Sequence, residues 1–167
     1  VTVYLIRHTA PGVPEGTCYG QTDVPLKDTF DTEAEILRNR LRIDIRRVVS
    51  SPLIRCTRLA TRLWPGHTIE TVDALKELHF GNWENLAWQG LAGPGLDKWM
   101  SDFVHERVPG GESYLDLYAR CSRWWDEQFA HGGGLNATTP LAIVTHAGPI
   151  RSLLCHVTKT ALGKAFQ

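Results

Sequence analysis

Leu141-Ala-Ile-Val-Thr145 runs directly into His146-Ala-Gly148-Pro149. Five consecutive residues without polar alternation describe a strand covered on both faces, as in a parallel sheet. An apolar helix through Leu153 and Leu154 follows. The same junction recurs upstream. Val1 to Ile6 is β-branched and aromatic and stops at Arg7-His8, and Arg46 to Ser51, with Val48 and Val49, meets Pro52 and a helix to about Trp64. Thr68 to Val72 reads as a further short strand. Strands alternating with helices predict an α/β fold, a three-layer αβα sandwich with a mainly parallel sheet.

Between these elements, Thr9 to Lys27 carries Pro11, Gly12, Pro14, Gly16, Gly20 and Pro25 and is expected to be an ordered loop serving a site. Thr32-x-x-Glu35 reads as a capping box opening a helix with Ala34, Leu37 and Leu41 on one face. Glu77 to about Glu112 is rich in Gly and Pro and resembles a small inserted cap around one short helix. Leu117, Cys121, Trp124 and Phe129 recur at helical spacing, so Ser113 to His131 is expected to be helical, ended by Gly132 to Gly134. With no internal repeat and no linker, residues 1–167 are expected to form one domain with the cap-like insertion at about 77–112.

A chain of 167 residues typically buries roughly 70% of its unfolded surface, enough for one substantial core. Eighteen Lys plus Arg balance eighteen Asp plus Glu, so no net field draws the protein to nucleic acid or an anionic membrane, and any anion site is local. The four cysteines are scattered without a C-x-x-C pair, which argues against a zinc ribbon or a disulfide framework. No apolar run reaches signal-peptide or membrane-span length. The chain is therefore expected to be soluble and cytoplasmic, with trimming before Val1 left open.

In open α/β sheets ligands sit beyond the carboxyl ends of the strands. Arg7-His8-Thr9, Ser50-Ser51-Pro52-Leu53-Ile54-Arg55 and Thr145-His146-Ala147-Gly148 all fall there. Two Arg and two His converging on one spot suit a phosphoryl group, which needs cations around its oxygens, an in-line nucleophile and an acid for the leaving oxygen. A neutral imidazole serves as nucleophile when its other ring nitrogen donates to a fixed acceptor. Arg55 in the first turn of a helix is an unusual place for a cation, and a bound phosphate explains it.

These segments resemble the histidine phosphatase, or phosphoglycerate mutase-like, superfamily. Arg7-His8-Thr9 resembles its R-H-G/T motif, Ser51-Pro52-Leu53-x-Arg55 its S-P-L-x-R, and Glu77-x-x-Phe80-Gly81-x-Trp83-Glu84 its E-x-x-F-G-x-W-E. Pro109 to Ser113 and Val144 to Gly148 also resemble family segments, so the match spans most of the chain. The resemblance implies a phosphoglycerate mutase-like fold, transient phosphorylation of His8, phosphoryl oxygens held by Arg7, Arg55 and His146, and Glu77 as proton donor; two guanidiniums plus a protonated His146 are expected to balance a phosphate dianion. It implies no cofactor and no metal. Arg7-His8-Thr9-x-Pro11 followed by Cys18-Tyr19-Gly20-Gln21-Thr22-Asp23-x-Pro25-Leu26 is most similar to the α-ribazole phosphatases of cobalamin nucleotide-loop assembly. Tyr19, Trp83, Trp88 and Tyr114 are then candidates for a surface that binds the substrate's aromatic base, with core packing an equal explanation for them.

Alternatives stand beside this reading. Glu84 and Glu112 compete with Glu77 for the acid's role, and Glu84 alternatively buttresses the backbone near Trp83. Gln21 and Thr22 are candidate phosphate or substrate contacts, or ordinary loop residues. Pro14 stands where the family more often has Asn, so one polar contact is expected to be either missing or supplied by Gln21, and Asn85 stands where Gly is usual, with a shifted cap backbone as the expected consequence. Cys56 to Arg62 has the C-x-x-x-x-x-R spacing of cysteine-based phosphatases, but a continuous helical pattern leaves no loop of free amides. A mutase, for which Leu78 stands where Arg is expected, a broad sugar-phosphate phosphatase and a non-catalytic phosphate- or phosphopeptide-binding module are the rivals. The expected partner is a small phosphomonoester, with no nucleic acid and no membrane; a homodimer is left open.

Overall fold

The computed structural model describes residues 2–41, 44–129 and 140–166. Four strands, β1 (Val3–Arg7), β2 (Arg47–Ser50), β3 (Ile69–Thr71) and β4 (Leu141–Thr145), form one sheet in the order β1-β4-β2-β3. Every pairing is parallel. The last strand in the chain is therefore inserted between the first two. β4 has neighbours on both edges and is buried at all positions, which is why its sequence shows no alternation.

Five α-helices accompany the sheet: α1 (Phe30–Arg40), α2 (Ile54–Leu63), α3 (Pro94–Ser101), α4 (Tyr114–Phe129) and α5 (Ala147–Thr158). Successive strand side chains point to opposite faces. Ile6, Val48, Ala142 and Val144 thus pack with Phe30 and Ala34 of α1 and with Cys56 and Leu59 of α2. Val49, Leu141 and Ile143 pack on the other side with Leu117, Cys121 and Trp124 of α4 and Leu153 of α5. Two cores on one sheet give the expected three layers.

The element boundaries differ from expectation in three places. Helix α1 starts at Phe30 behind Thr29, so Thr32 lies inside the helix rather than capping it. Glu33 is drawn instead to the Ala10 amide, 3.0 Å away, and Glu35 to Arg62 at 3.1 Å, and these tertiary partners replace the capping box. Helix α2 begins at Ile54, two residues after Pro52, and its first amide donates to the Asp23 carboxylate at 2.7 Å. The described part of α4 ends at Phe129; the expected stop at His131 to Gly134 lies outside the described residues.

Between Glu77 and Glu112 the chain forms 3₁₀ turns at Gly81–Trp83 and Trp88–Leu91 and the helix α3. Buried Trp83 and Val108 close a small separate core over Cys18 of the long loop, with Phe80, Trp88 and Trp99 against it. Asn85 adopts φ 66°. That left-handed conformation favours Gly, and Asn is among the few side chains that tolerate it. No helix of the described residues is long and apolar enough to cross a membrane.

Candidate active site

Strand order brings the three sequence-predicted segments together. His8 follows β1, Ser51 follows β2 and His146 follows β4, and β4 lies between the other two. Adjacent strands are roughly 4.8 Å apart, so residues just past their ends are forced into contact. The His8 amide donates to the Thr145 carbonyl at 3.0 Å, and the Ser51 amide to the Val144 carbonyl at 2.9 Å. The rings of His8 and His146 stand edge to face with centroids 5.0 Å apart.

Both tautomers follow from the partners. His8 Nδ1 lies 2.7 Å from the Thr9 carbonyl, which only accepts, so Nδ1 carries the proton and the Nε2 lone pair is free. Burial, with Arg55 and Arg7 adding repulsion, lowers His8 to about 4 despite the opposing Thr9 hydrogen bond. Arg55 Nε, which only donates, lies 3.2 Å from His146 Nδ1, so His146 keeps its proton on Nε2 and donates it to Ser51 Oγ at 2.8 Å. Burial first, then the nearby Arg55, holds His146 well below the ordinary range. With an obligate donor on Nδ1 the ring is neutral in this arrangement; the expectation of a protonated His146 concerns the ring beside a phosphate dianion.

Arg55 has 0% exposure. It donates from Nη1 to the Thr22 carbonyl at 3.0 Å and from Nη2 to the Gly20 carbonyl at 2.6 Å, and its Cζ lies 5.2 Å from the centroid of the Tyr19 ring. Among the described residues no carboxylate forms an ion pair with it. A buried guanidinium without a counter-ion is unfavourable unless an anion binds beside it. Arg7 is exposed at the end of β1.

Glu77 stands at the start of the 77–112 segment and reaches the N-terminus of α5. Its Oε1 accepts from the Leu78 amide at 2.9 Å and its Oε2 from the Gly148 amide at 3.2 Å. Burial pushes the carboxyl up against these hydrogen bonds and the attraction of Arg55 and Arg120. Gly148 permits this approach, because a Cβ there would overlap the Glu77 carboxylate.

The two rival carboxylates are committed elsewhere. Glu84 accepts from the amides of Gln21, Thr22 and Phe80 and from the Thr22 hydroxyl, and so ties the long loop to the cap. Glu112 pairs with Arg120 and accepts the His79 amide. Thr22 thereby spends its hydroxyl on Glu84, and Gln21 Nε2 donates to the Glu77 carbonyl at 3.0 Å. Cys56 to Arg62 lies wholly within α2, and Cys56 is fully buried with its thiol pushed up by desolvation.

A cavity of about 570 Å³ opens beside Glu77, walled by Leu78, Phe80, Trp88, Trp99, Tyr114 and further apolar residues, with Arg151 also in its lining. Of the expected aromatic surface, Trp88 and Tyr114 line this cavity, whereas Trp83 is buried in the small cap core and Tyr19 covers Arg55. Leu78, at the position where a mutase is expected to carry Arg, forms part of the apolar wall. Sequence reasoning misses Arg151. The available signal is its spacing on α5, one turn after Ala147 and Gly148 and so on the same face. Among the described residues no three His, Cys, Asp or Glu side chains form a group that could hold a metal ion.

Comparison with known proteins bears on the family and the fold. The family profile described as histidine phosphatase superfamily (branch 1) matches residues 3–167. A mycobacterial glucosyl-3-phosphoglycerate phosphatase superposes with a TM-score of 0.84 at 25% identity, over 96% of this chain and 81% of that one. The α-ribazole phosphatase of Shigella flexneri superposes with a TM-score of 0.89 at 20% identity, over 98% and 83% of the two chains, a likeness of fold. The protein TTHB049 of Thermus thermophilus is 29% identical with a TM-score of 0.72, over 91% and 82%. None of the curated proteins matches this chain.

Proposed function

We propose that this chain, which belongs to the histidine phosphatase superfamily, hydrolyses phosphomonoesters through a phosphohistidine at His8, with α-ribazole 5′-phosphate as the substrate to test first. The observation that carries the reading is the buried, carboxylate-free Arg55 beside two neutral imidazoles, one of which has its free nitrogen fixed by the Thr9 carbonyl. In the first step His8 Nε2 forms a bond to phosphorus as the ester P–O bond breaks, and the Glu77 proton passes to the departing oxygen. Arg55 and Arg7 take the charge on the phosphoryl oxygens, and His146 offers its Nε2–H, now given to Ser51. In the second step a water oxygen attacks phosphorus, its proton returns to the Glu77 carboxylate, and His8 is released with inorganic phosphate.

The cavity supports the choice of substrate. Its aromatic wall lies next to the proton donor, where the leaving group must sit, and suits a planar apolar ring better than a sugar's hydroxyls. The test is a rapid quench with ³²P-labelled α-ribazole 5′-phosphate, run beside 3-phosphoglycerate and fructose bisphosphate. The expected result is an acid-labile, base-stable label on His8 that forms and decays within turnover, and preference for the ribazole ester. Full turnover by a folded His8→Asn variant would remove His8 from the mechanism. Binding of the ester by the folded chain with neither a phosphohistidine label nor any release of phosphate would favour a binding module.

A further inference from the structure

The proposed acid sits on backbone that has no regular structure of its own. After the 3₁₀ turn Asp73–Leu75 the chain runs without helix or strand to Gly81, and Glu77 lies in the middle of this stretch. Something else must fix the direction of its Cα–Cβ bond. Arg120 of α4 does so with every donor it has. Nη1 donates to the carbonyls of Ala74 and Lys76, each at 2.7 Å, and Nη2 to the carbonyl of Glu77 at 2.9 Å. The remaining donors, Nε and the second Nη2 hydrogen, engage the two carboxylate oxygens of Glu112 at 2.9 Å each. Glu112 Oε2 in turn receives the His79 amide at 3.0 Å. The guanidinium and its carboxylate partner thus clamp residues 74, 76, 77 and 79, on both sides of Glu77.

We infer that Arg120 is a positioning residue for proton donation, holding the Glu77 backbone so that the carboxyl reaches the leaving oxygen. The inference rests on the proposed function, in which Glu77 is the acid. An anchor that only stabilised the fold could sit anywhere along the cap, whereas this one spends three of its five hydrogen bonds on the carbonyls leading into Glu77. Its own ion pair is half-sheltered, with 21% exposure on each side chain. Its planar fork reaches several carbonyls and a carboxylate at once, which a Lys ammonium cannot do.

The test uses the dependence on leaving group, which a merely structural role does not alter. An alkoxide needs a proton in order to leave, and p-nitrophenolate does not, so loss of the acid selectively slows alkyl esters. kcat/KM is measured for 2-phenylethyl phosphate and for p-nitrophenyl phosphate in the intact chain, in Glu77→Gln, in Arg120→Met and in Arg120→Lys. Glu77→Gln serves as the benchmark, with a loss of ~10²-fold or more on the alkyl ester beyond that on the aryl ester. Arg120→Met should approach that ratio, because a misplacement of about 1 Å costs on the order of 10²-fold. Arg120→Lys, which keeps the charge but not the fork, should show the same selectivity at roughly a tenth of the size, and it carries the test alone if Arg120→Met does not fold. Equal losses on both esters in the Arg120 variants, with Glu77→Gln selective, overturn the inference and leave the proposed function standing. Equal losses in Glu77→Gln as well remove Glu77 as the acid, and the inference falls with it.

Discussion

Replacing His8 by Asn should flatten the acid side of the protein's stability profile. In the folded chain burial lowers His8 from 6.5 to about 4. The folded state therefore excludes a proton that the unfolded chain accepts between those two values, and stability is lost as the pH falls through this window. At pH 7.5 both states are neutral and the contribution is fully present. At pH 4.5 the unfolded chain is protonated and the folded chain mostly is not, which removes about 2.5 kcal/mol of stability. His146 is also depressed by burial and persists in the variant, so the difference between the two proteins isolates His8. Urea unfolding of the native chain and of His8→Asn, each at pH 7.5 and pH 4.5, gives the four free energies needed. The native chain should lose about 2.5 kcal/mol more than the variant on acidification. Losses equal to within about 0.5 kcal/mol, near the error of the extrapolation, would show that His8 is not held neutral by its surroundings. The free Nε2 lone pair at neutral pH would then lose its physical basis.

The site yields further expectations. Steady-state kcat/KM should rise with pH through about 4 as His8 loses its proton, and should fall again at higher pH as Glu77, whose pKa burial raises, becomes ionised; a profile flat from about pH 3 to about pH 9 contradicts both assignments. Arg55→Met should lower kcat/KM by ~10²- to 10³-fold with a folded far-UV spectrum, and Arg55→Lys should recover only part of it, since a point charge cannot serve the Thr22 and Gly20 carbonyls and a phosphoryl group together. Gly148→Ala brings a methyl group onto the Glu77 carboxylate and should depress kcat/KM by roughly 10²-fold through displacement of the acid; native kinetics would refute the close packing. Iodoacetamide at neutral pH should leave activity intact, because Cys56 is fully buried and its thiol is held protonated, and stoichiometric inactivation at Cys56 would reopen the cysteine-based alternative.

Much of this is legible in local sequence because the relevant signals are local. An uninterrupted apolar run such as Leu141 to Thr145 declares a strand buried on both faces. A His immediately after such a run must sit at a sheet's carboxyl edge, so His8 and His146 are identifiable without knowledge of any contact, and Arg55 stands out as a cation in the first turn of the helix that follows β2. The α1 boundary departs from its sequence pattern because Glu33 and Glu35 have partners, the Ala10 amide and Arg62, far away in the chain. Helix propensity carries no information about those.

What the sequence does not decide is which strands become neighbours and what each side chain does once they are. Insertion of β4 between β1 and β2 sets the two imidazoles 5.0 Å apart, and no periodicity encodes that order. His146 has its proton on Nε2 because a single obligate donor, Arg55 Nε, arrives from another helix and takes the Nδ1 lone pair. Likewise, only the folded chain separates Glu77 from Glu84 and Glu112, since all three are equivalent as acids until hydrogen bonds commit two of them elsewhere. Composition and spacing fix which groups stand at the sheet's edge. Long-range packing fixes their tautomers, their charges and the Arg120 clamp, because those depend on atoms that meet only when the chain has closed.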